Sequence, residues 1–172
     1  MKSKDNTLKN FYLDTVKGRP SAEAFNGMLC VYSLLYRKME EYFKDYELTP
    51  VKYNTLLLLK YLGGAEGLSQ SEICHHLIVS PSNITRLIDR LIDDGYVERN
   101  LSQEDRRIKL IKITKSGSDI LEKLFHGYGE MIQQSVYVLE RKKVEQLASL
   151  LLEWFSKLDN SGPKEINAKR EN

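Results

Sequence analysis

Between Ser80 and Thr114 the hydrophobic period of the chain changes once, and this stretch constrains the fold more than any other. Ser80 suits a helix cap, and Pro81 follows at the first helical position, where a missing N–H costs nothing. Ile84, Leu87, Ile88, Leu91 and Ile92 then recur at helical spacing and form one apolar stripe. Gly95 offers the positive φ that ends a helix. Opposite the stripe lie Ser82, Asn83, Thr85, Arg86, Asp89 and Arg90, a face rich in hydrogen-bonding groups. Tyr96 to Arg99 reads as a strand, Ser102 to Asp105 as a turn, and Arg106 to Ile113 as the returning strand. The predicted product is a helix over 81–94 followed by a β-ribbon with cations at its tip.

The flanking segments are helical. Ser21 is the expected cap of a long helix to about Tyr46, striped with Phe25, Met28, Leu29, Tyr32, Leu35, Tyr36, Met39 and Phe43. Thr49-Pro50 repeats the cap-then-proline start for a helix to Leu62, apolar around most of its girth and therefore central to the core. Leu68 suits a brief strand, and Ser69-x-x-Glu72 matches a capping box that opens a helix to Leu77. Two short helices thus precede the ribbon, a helix-turn-helix order that with the ribbon makes a winged helix. After the ribbon, Thr114 caps a long helix in which Gly127 and Gly129 permit a bend, and a last helix runs from about Arg141 to Leu158. The fold class is mainly α with a small β-wing. Its expected parts are an arm over 1–20, a long helix over 21–48 open to an intersubunit role, a winged helix-turn-helix DNA-binding lobe over 49–113, carboxy-terminal helices over 114–159 and a flexible tail over 160–172.

With a net charge of +2, DNA binding must come from locally placed cations rather than a general basic coat. The amino terminus MKSKDNTLKN is polar and Leu56 to Leu59 is too short to cross a bilayer, so no membrane partner and a cytoplasmic location are expected. Cys30 and Cys74 are too few for a disulfide framework, which fits a reducing compartment.

Four elements in order resemble the MarR family of winged-helix transcription regulators: Leu68-Ser69-Gln70-Ser71-Glu72-Ile73; Ile84-Thr85-Arg86-Leu87-Ile88-Asp89-Arg90-Leu91; Asp94-Gly95-Tyr96-Val97-Glu98-Arg99; and Asp105-Arg106-Arg107 followed by Ile113-Thr114-Lys115-Ser116-Gly117. The last is the family's wing signature, and the likeness covers about residues 25 to 158. It implies a homodimer built from the terminal helices, a palindromic double-stranded operator, and release by a small phenolic or other aromatic molecule. The expected function is a non-enzymatic repressor without cofactor.

A helix of this width suits the major groove, where each base pair is distinguishable. Ser82, Asn83, Thr85 and Arg86, near the amino end, are the candidates for base or nearby phosphate contacts, while Ser69, Gln70 and Ser80 lie at helix starts suited to phosphate. Ser80 as a cap alone, and Arg90 paired with Asp93, Asp94 or Glu98, are the structural alternatives. On a strand Asp105 and Arg107 would share one side, letting the carboxylate hold the guanidinium extended; the alternative is a salt bridge that merely stiffens the turn. The resemblance implies that Arg107 enters the minor groove, and Arg106 is assigned to phosphate. Phe25, Leu29, Leu151, Trp154, Phe155 and Leu158 are the expected dimer seam, with core packing as the alternative for each.

Tyr32, Tyr36 and Tyr53 are candidates for holding an aromatic ligand, against half-buried packing with a wet hydroxyl. Cys30 raises a redox-sensing alternative, since peroxide-sensing relatives carry a cysteine on the first helix, but its spacing and the lack of a nearby cation favour a packed thiol. Cys74-His75-His76 lacks a second ligand cluster, so no metal site is expected. An effector-free winged helix acting by protein contact is the remaining alternative. No phosphate loop, activated nucleophile or facing carboxylate pair points to an enzyme.

Overall fold

The computed structural model describes residues 14–77, 81–102 and 107–159. The elements are α1 (Pro20–Lys44), α2 (Pro50–Leu62), β1 (Leu68–Ser69), α3 (Gln70–Leu77), α4 (Pro81–Asp93), β2 (Val97–Leu101), β3 (Lys109–Ile113), α5 (Lys115–Val136) and α6 (Arg141–Leu158). The mainly α fold with a small wing is as the sequence predicts. Two compact units divide between Tyr128 and Gly129.

The start of α1 differs from expectation. Pro20, not Ser21, opens it, because proline's fixed φ suits the first helical turn. Arg19 makes no side-chain cap, and Glu23 Oε1 instead accepts from the Gly18 N–H at 2.8 Å. At the other end Glu47 takes a φ of 54°, which lets Leu48 N–H reach the Phe43 carbonyl at 3.2 Å and brings Leu48 into the core. The next helix begins as predicted: Thr49 Oγ1 accepts from Lys52 N–H at 3.3 Å. The capping box at α3 is complete, with Glu72 N–H donating to Ser69 Oγ at 3.3 Å and Ser69 N–H donating to Glu72 Oε2 at 2.8 Å.

The ribbon belongs to a sheet of three antiparallel strands in the order β1-β3-β2. Leu68 pairs with Ile111, and Val97 with Ile113 through Leu101 with Lys109. The brief strand expected at Leu68 is present, but its pairing with β3 was not foreseen, and Gly67 permits it. With φ at 93°, Gly67 comes so close to β3 that a Cβ would lie 2.3 Å from the Ile111 carbonyl oxygen. The returning strand also begins later than expected, at Lys109 rather than Arg106, leaving Arg107 in the turn before it.

In the first unit the core joins Phe43, Tyr53, Leu56 and Leu59 to Ile73, Ile84, Ile88, Leu91, Val97, Ile111, Leu121 and Leu124. Thr55 is fully buried but satisfied, its Oγ1 donating to the Val51 carbonyl at 2.7 Å. In the second unit α6 has no buried residue, and Leu150, Leu151, Phe155 and Leu158 are exposed. Helix α5 runs unbroken through Gly127 and Gly129.

Gly67→Ala is expected to destabilise the chain by more than about 2 kcal/mol, combining left-handed strain with a backbone clash, whereas Gly64→Ala should cost only about 1 kcal/mol. Gly64 shares a positive φ of 55° but has nothing within 4 Å of its absent Cβ. Equal urea midpoints for the two variants would show that the approach of Gly67 to β3 contributes nothing.

Candidate nucleic-acid interface

Helix α4 divides cleanly along its length. Ile88 and Leu91 are completely buried, Ile84 and Leu87 nearly so, while Asn83, Thr85, Arg86, Asp89 and Arg90 are exposed. Its carboxy end closes as a Schellman turn: Tyr96 N–H donates to the Leu91 carbonyl and Gly95 N–H to the Ile92 carbonyl, both at 2.9 Å, with Gly95 at φ 74°.

Two ion pairs hold this helix from neighbouring elements. Lys52 Nζ on α2 lies 2.6 Å from Asp94 Oδ2, and Arg99 on β2 donates to Asp89 Oδ1 at 2.9 Å. Neither pair was legible locally, since the partners are separated by 42 and 10 residues. They change the electrostatics of the face, because each acidic group named here is neutralised by a cation off the helix. Arg90 does not make the pairs weighed for it: Asp94 is taken by Lys52, and Glu98 accepts from Asn100 at 2.9 Å. Arg86 and Arg90 have no hydrogen-bond or ion-pair partner among the described residues.

Asn83, Arg86, Leu87 and Arg90 also line a cleft of about 370 Å³ whose other walls are Tyr36 of α1 and Thr49, Val51 and Lys52 at the start of α2. The polar groups proposed for DNA thus border a cavity large enough for one small ring.

At the entrance to α3, Ser69 is engaged in capping, and Gln70 Nε2 is buried without a hydrogen-bond partner among the described residues. Arg107 is exposed in the turn before β3, and Lys109 is exposed on the wing. Ser80, Asp105 and Arg106 lie outside the described residues, and Ser82 is described through its backbone alone.

The aromatic candidates separate. Tyr32 is exposed and stacks at 5.7 Å on Tyr36, the one that reaches the cleft. Burial, then Glu40 and Tyr32, raises the Tyr36 phenol pKa. Tyr53 is only 2% exposed and packs in the core, 4.7 Å from Phe43 and 4.8 Å from Tyr128. Among the candidates for the seam, Phe25, Leu29, Leu151, Phe155 and Leu158 are exposed and Trp154 is half-buried. Cys30 and Cys74 are half-buried and not joined in a disulfide, and no group of three His, Cys, Asp or Glu residues is gathered for a metal among the described residues. No helix there is long and apolar enough to cross a membrane.

A sequence profile of the MarR family matches residues 46–108, from the end of α1 to the wing. The transcriptional repressor IacR of Pseudomonas putida is 30% identical over 129 residues, covering 75% of each chain. The crystal structure of a MarR-like transcription regulator from Bacillus cereus superposes with a TM-score of 0.72 at 24% identity, covering 83% of this chain and 100% of that one. A mutant MarR from E. coli complexed with operator DNA gives a TM-score of 0.67 at 26% identity, over 73% of this chain and 89% of that one.

Burial, then the neighbouring phenols Tyr128, Tyr42 and Tyr61, pushes the Tyr53 pKa from 10.0 to about 12. The folded state therefore favours the neutral phenol. That contribution to stability is fully present below pH 10.0 and is lost as pH rises through about 12. Denaturation midpoints followed through this alkaline window should fall less steeply in Tyr53→Phe than in the unsubstituted chain; parallel slopes would absolve Tyr53.

Proposed function

The chain belongs to the MarR family, and from that premise we propose that it is a dimeric DNA-binding transcription regulator that represses from a palindromic operator and is released by a small aromatic ligand. The observation that carries this reading is α4: one face buried to completion, the other offering Asn83, Thr85, Arg86 and Arg90 with the nearby carboxylates of Asp89 and Asp94 already paired. Such a face enters a major groove, with arginine suited to the O6 and N7 of guanine and asparagine to the N6 and N7 of adenine. Ser82 and Thr85 complete the reading edge. Ser80 and Arg106 serve phosphate, Ser69 and Gln70 stay with the start of α3, and Arg107, steadied by Asp105, reaches the neighbouring minor groove. The relative from P. putida is named a repressor and the E. coli relative was crystallised on operator DNA, which supports both parts of the reading. DNA as partner implies a cytoplasmic location.

A second copy would supply the other half-site, with two reading helices about 34 Å apart on one face of the duplex. The apolar surfaces left uncovered favour this: Phe25 and Leu29 on α1, and Leu151, Phe155 and Leu158 on α6 with half-buried Trp154. The cleft beside α4 is the proposed effector site. Tyr36 offers a phenol and Arg86 and Arg90 offer charge, so an aromatic acid bound there competes directly with DNA for the arginines.

Arg86→Ala and Arg107→Ala are each expected to weaken binding to a selected duplex by about 1–3 kcal/mol at fixed salt while leaving the fold intact. Gel-shift titration measures this, and unchanged affinity in both variants would refute the proposed contacts. Repeating the titration with a panel of aromatic acids tests release; if none displaces the duplex from the unsubstituted protein, the effector part fails.

Leu151→Glu with Phe155→Glu should convert a dimer to monomer in sedimentation and weaken operator binding at least about tenfold, because a half-site alone is then held. A dimer that survives both charges places the seam elsewhere.

A further inference from the structure

Thr114 joins the end of α4 to the start of α5. Its Oγ1 accepts from the Gly117 N–H at 3.1 Å, capping α5, and donates to the Gly95 carbonyl at 2.8 Å, on the residue that ends α4. Its own N–H donates to the Tyr96 carbonyl at 3.0 Å, while its carbonyl accepts from Ser118 N–H at 3.0 Å. The approach leaves no room beside it: a Cβ on Gly117 would lie 2.2 Å from the Tyr96 carbonyl oxygen and 2.9 Å from Ile113 Cγ1. One hydroxyl therefore satisfies a helix start and holds a helix end at the same time.

We infer that Thr114 is a positioning residue for base reading, setting the orientation of α4 against α5. The inference rests on the DNA-reading proposal above. Aliphatic burial is non-directional, so the stripe of Ile84, Leu87, Ile88 and Leu91 resists withdrawal of α4 more than a small roll about its axis. Hydrogen bonds are directional, and those at Thr114 and Gly95 fix that roll at the carboxy end. Base edges require placement within about 0.5 Å and 10–20°, whereas attraction to phosphate tolerates far more. A loosened α4 thus loses sequence discrimination before it loses general affinity for DNA.

The test measures affinity for a duplex enriched from random sequence by the unsubstituted protein, and for an unrelated duplex of equal length at the same salt. Thr114→Val keeps the shape and removes both hydroxyl bonds; Thr114→Ser keeps both. Thr114→Val should bind the enriched duplex about tenfold more weakly with the unrelated duplex changed by less than about twofold, and Thr114→Ser should match the unsubstituted protein. Thr114→Asp retains the cap while losing the donor to Gly95, so it stays informative if the valine variant does not fold. Its added charge lowers both affinities alike, and the ratio should still fall about tenfold. A parallel fall for both duplexes, or an unchanged ratio in the folded variants, would overturn the inference. Failure of the unsubstituted protein to enrich any duplex would instead strike the DNA-reading proposal, and this inference with it.

Discussion

Complete burial of one side of α4 is the constraint on which the rest of the molecule turns. Ile88 and Leu91 are at 0% exposure and Ile84 at 3%, in a core that α2, α3, α5 and the sheet all supply. Removing each such side chain from water stabilises the fold by about 1.5–3 kcal/mol. Because the helical period is fixed, burying those positions leaves Thr85, Arg86 and Asp89 on the opposite face with Asn83 and Arg90 exposed along its edge. Presentation of the polar edge is therefore a consequence of packing, and α4 remains helical whether or not anything is bound.

Charge is arranged on the same helix with less redundancy. A chain of net charge +2 has no surplus to attract a polyanion from a distance, so position decides. Asp89 and Asp94 would oppose phosphate if left alone; Arg99 and Lys52 answer them from β2 and α2. Surface pairs of this kind contribute little to folding, at most about 1 kcal/mol each. Their effect is on the field: Asp89 and Asp94 are each answered by a cation while Arg86 and Arg90 stay available. The same two arginines border the cleft beside Tyr36, so a ligand there and a duplex would compete for one set of donors.

The elements that could be read from sequence are those set by neighbours along the chain. Thr49-Pro50, the box from Ser69 to Glu72, the α4 stripe and Gly95 each need only residues within a turn or so, and the structure bears out each of them. What escaped needs distant partners. The pairing of Leu68 with Ile111 makes the third strand, and the approach of Gly67 to Ile111, with its φ of 93°, explains why a glycine stands there. The ion pairs at Asp89 and Asp94 are equally non-local, which is why Arg90 could be assigned three acids it does not use. Ser21 failed as a cap for a local reason, since the adjacent Pro20 already supplies the preset φ. Thr114 was legible as a cap, but its second bond, to Gly95, spans 19 residues and appears only in the fold.

The terminal helices pose the opposite problem to α4. Phe25, Met28, Leu29, Val31, Tyr32 and Leu34 of α1 are all at least 37% exposed, and α6 has no fully buried residue. A helix of 18 residues without burial is marginal in water, because propagation barely offsets nucleation and tertiary packing normally supplies the difference. Among the described residues α6 has no fully buried side chain and only Val144 and Trp154 half-buried. A second copy presenting the same faces would supply the packing, and the proposed reading of two half-sites needs the same association. On that view folding of the terminal helices and recognition of a two-fold operator draw on one interface, so weakening that interface affects both together.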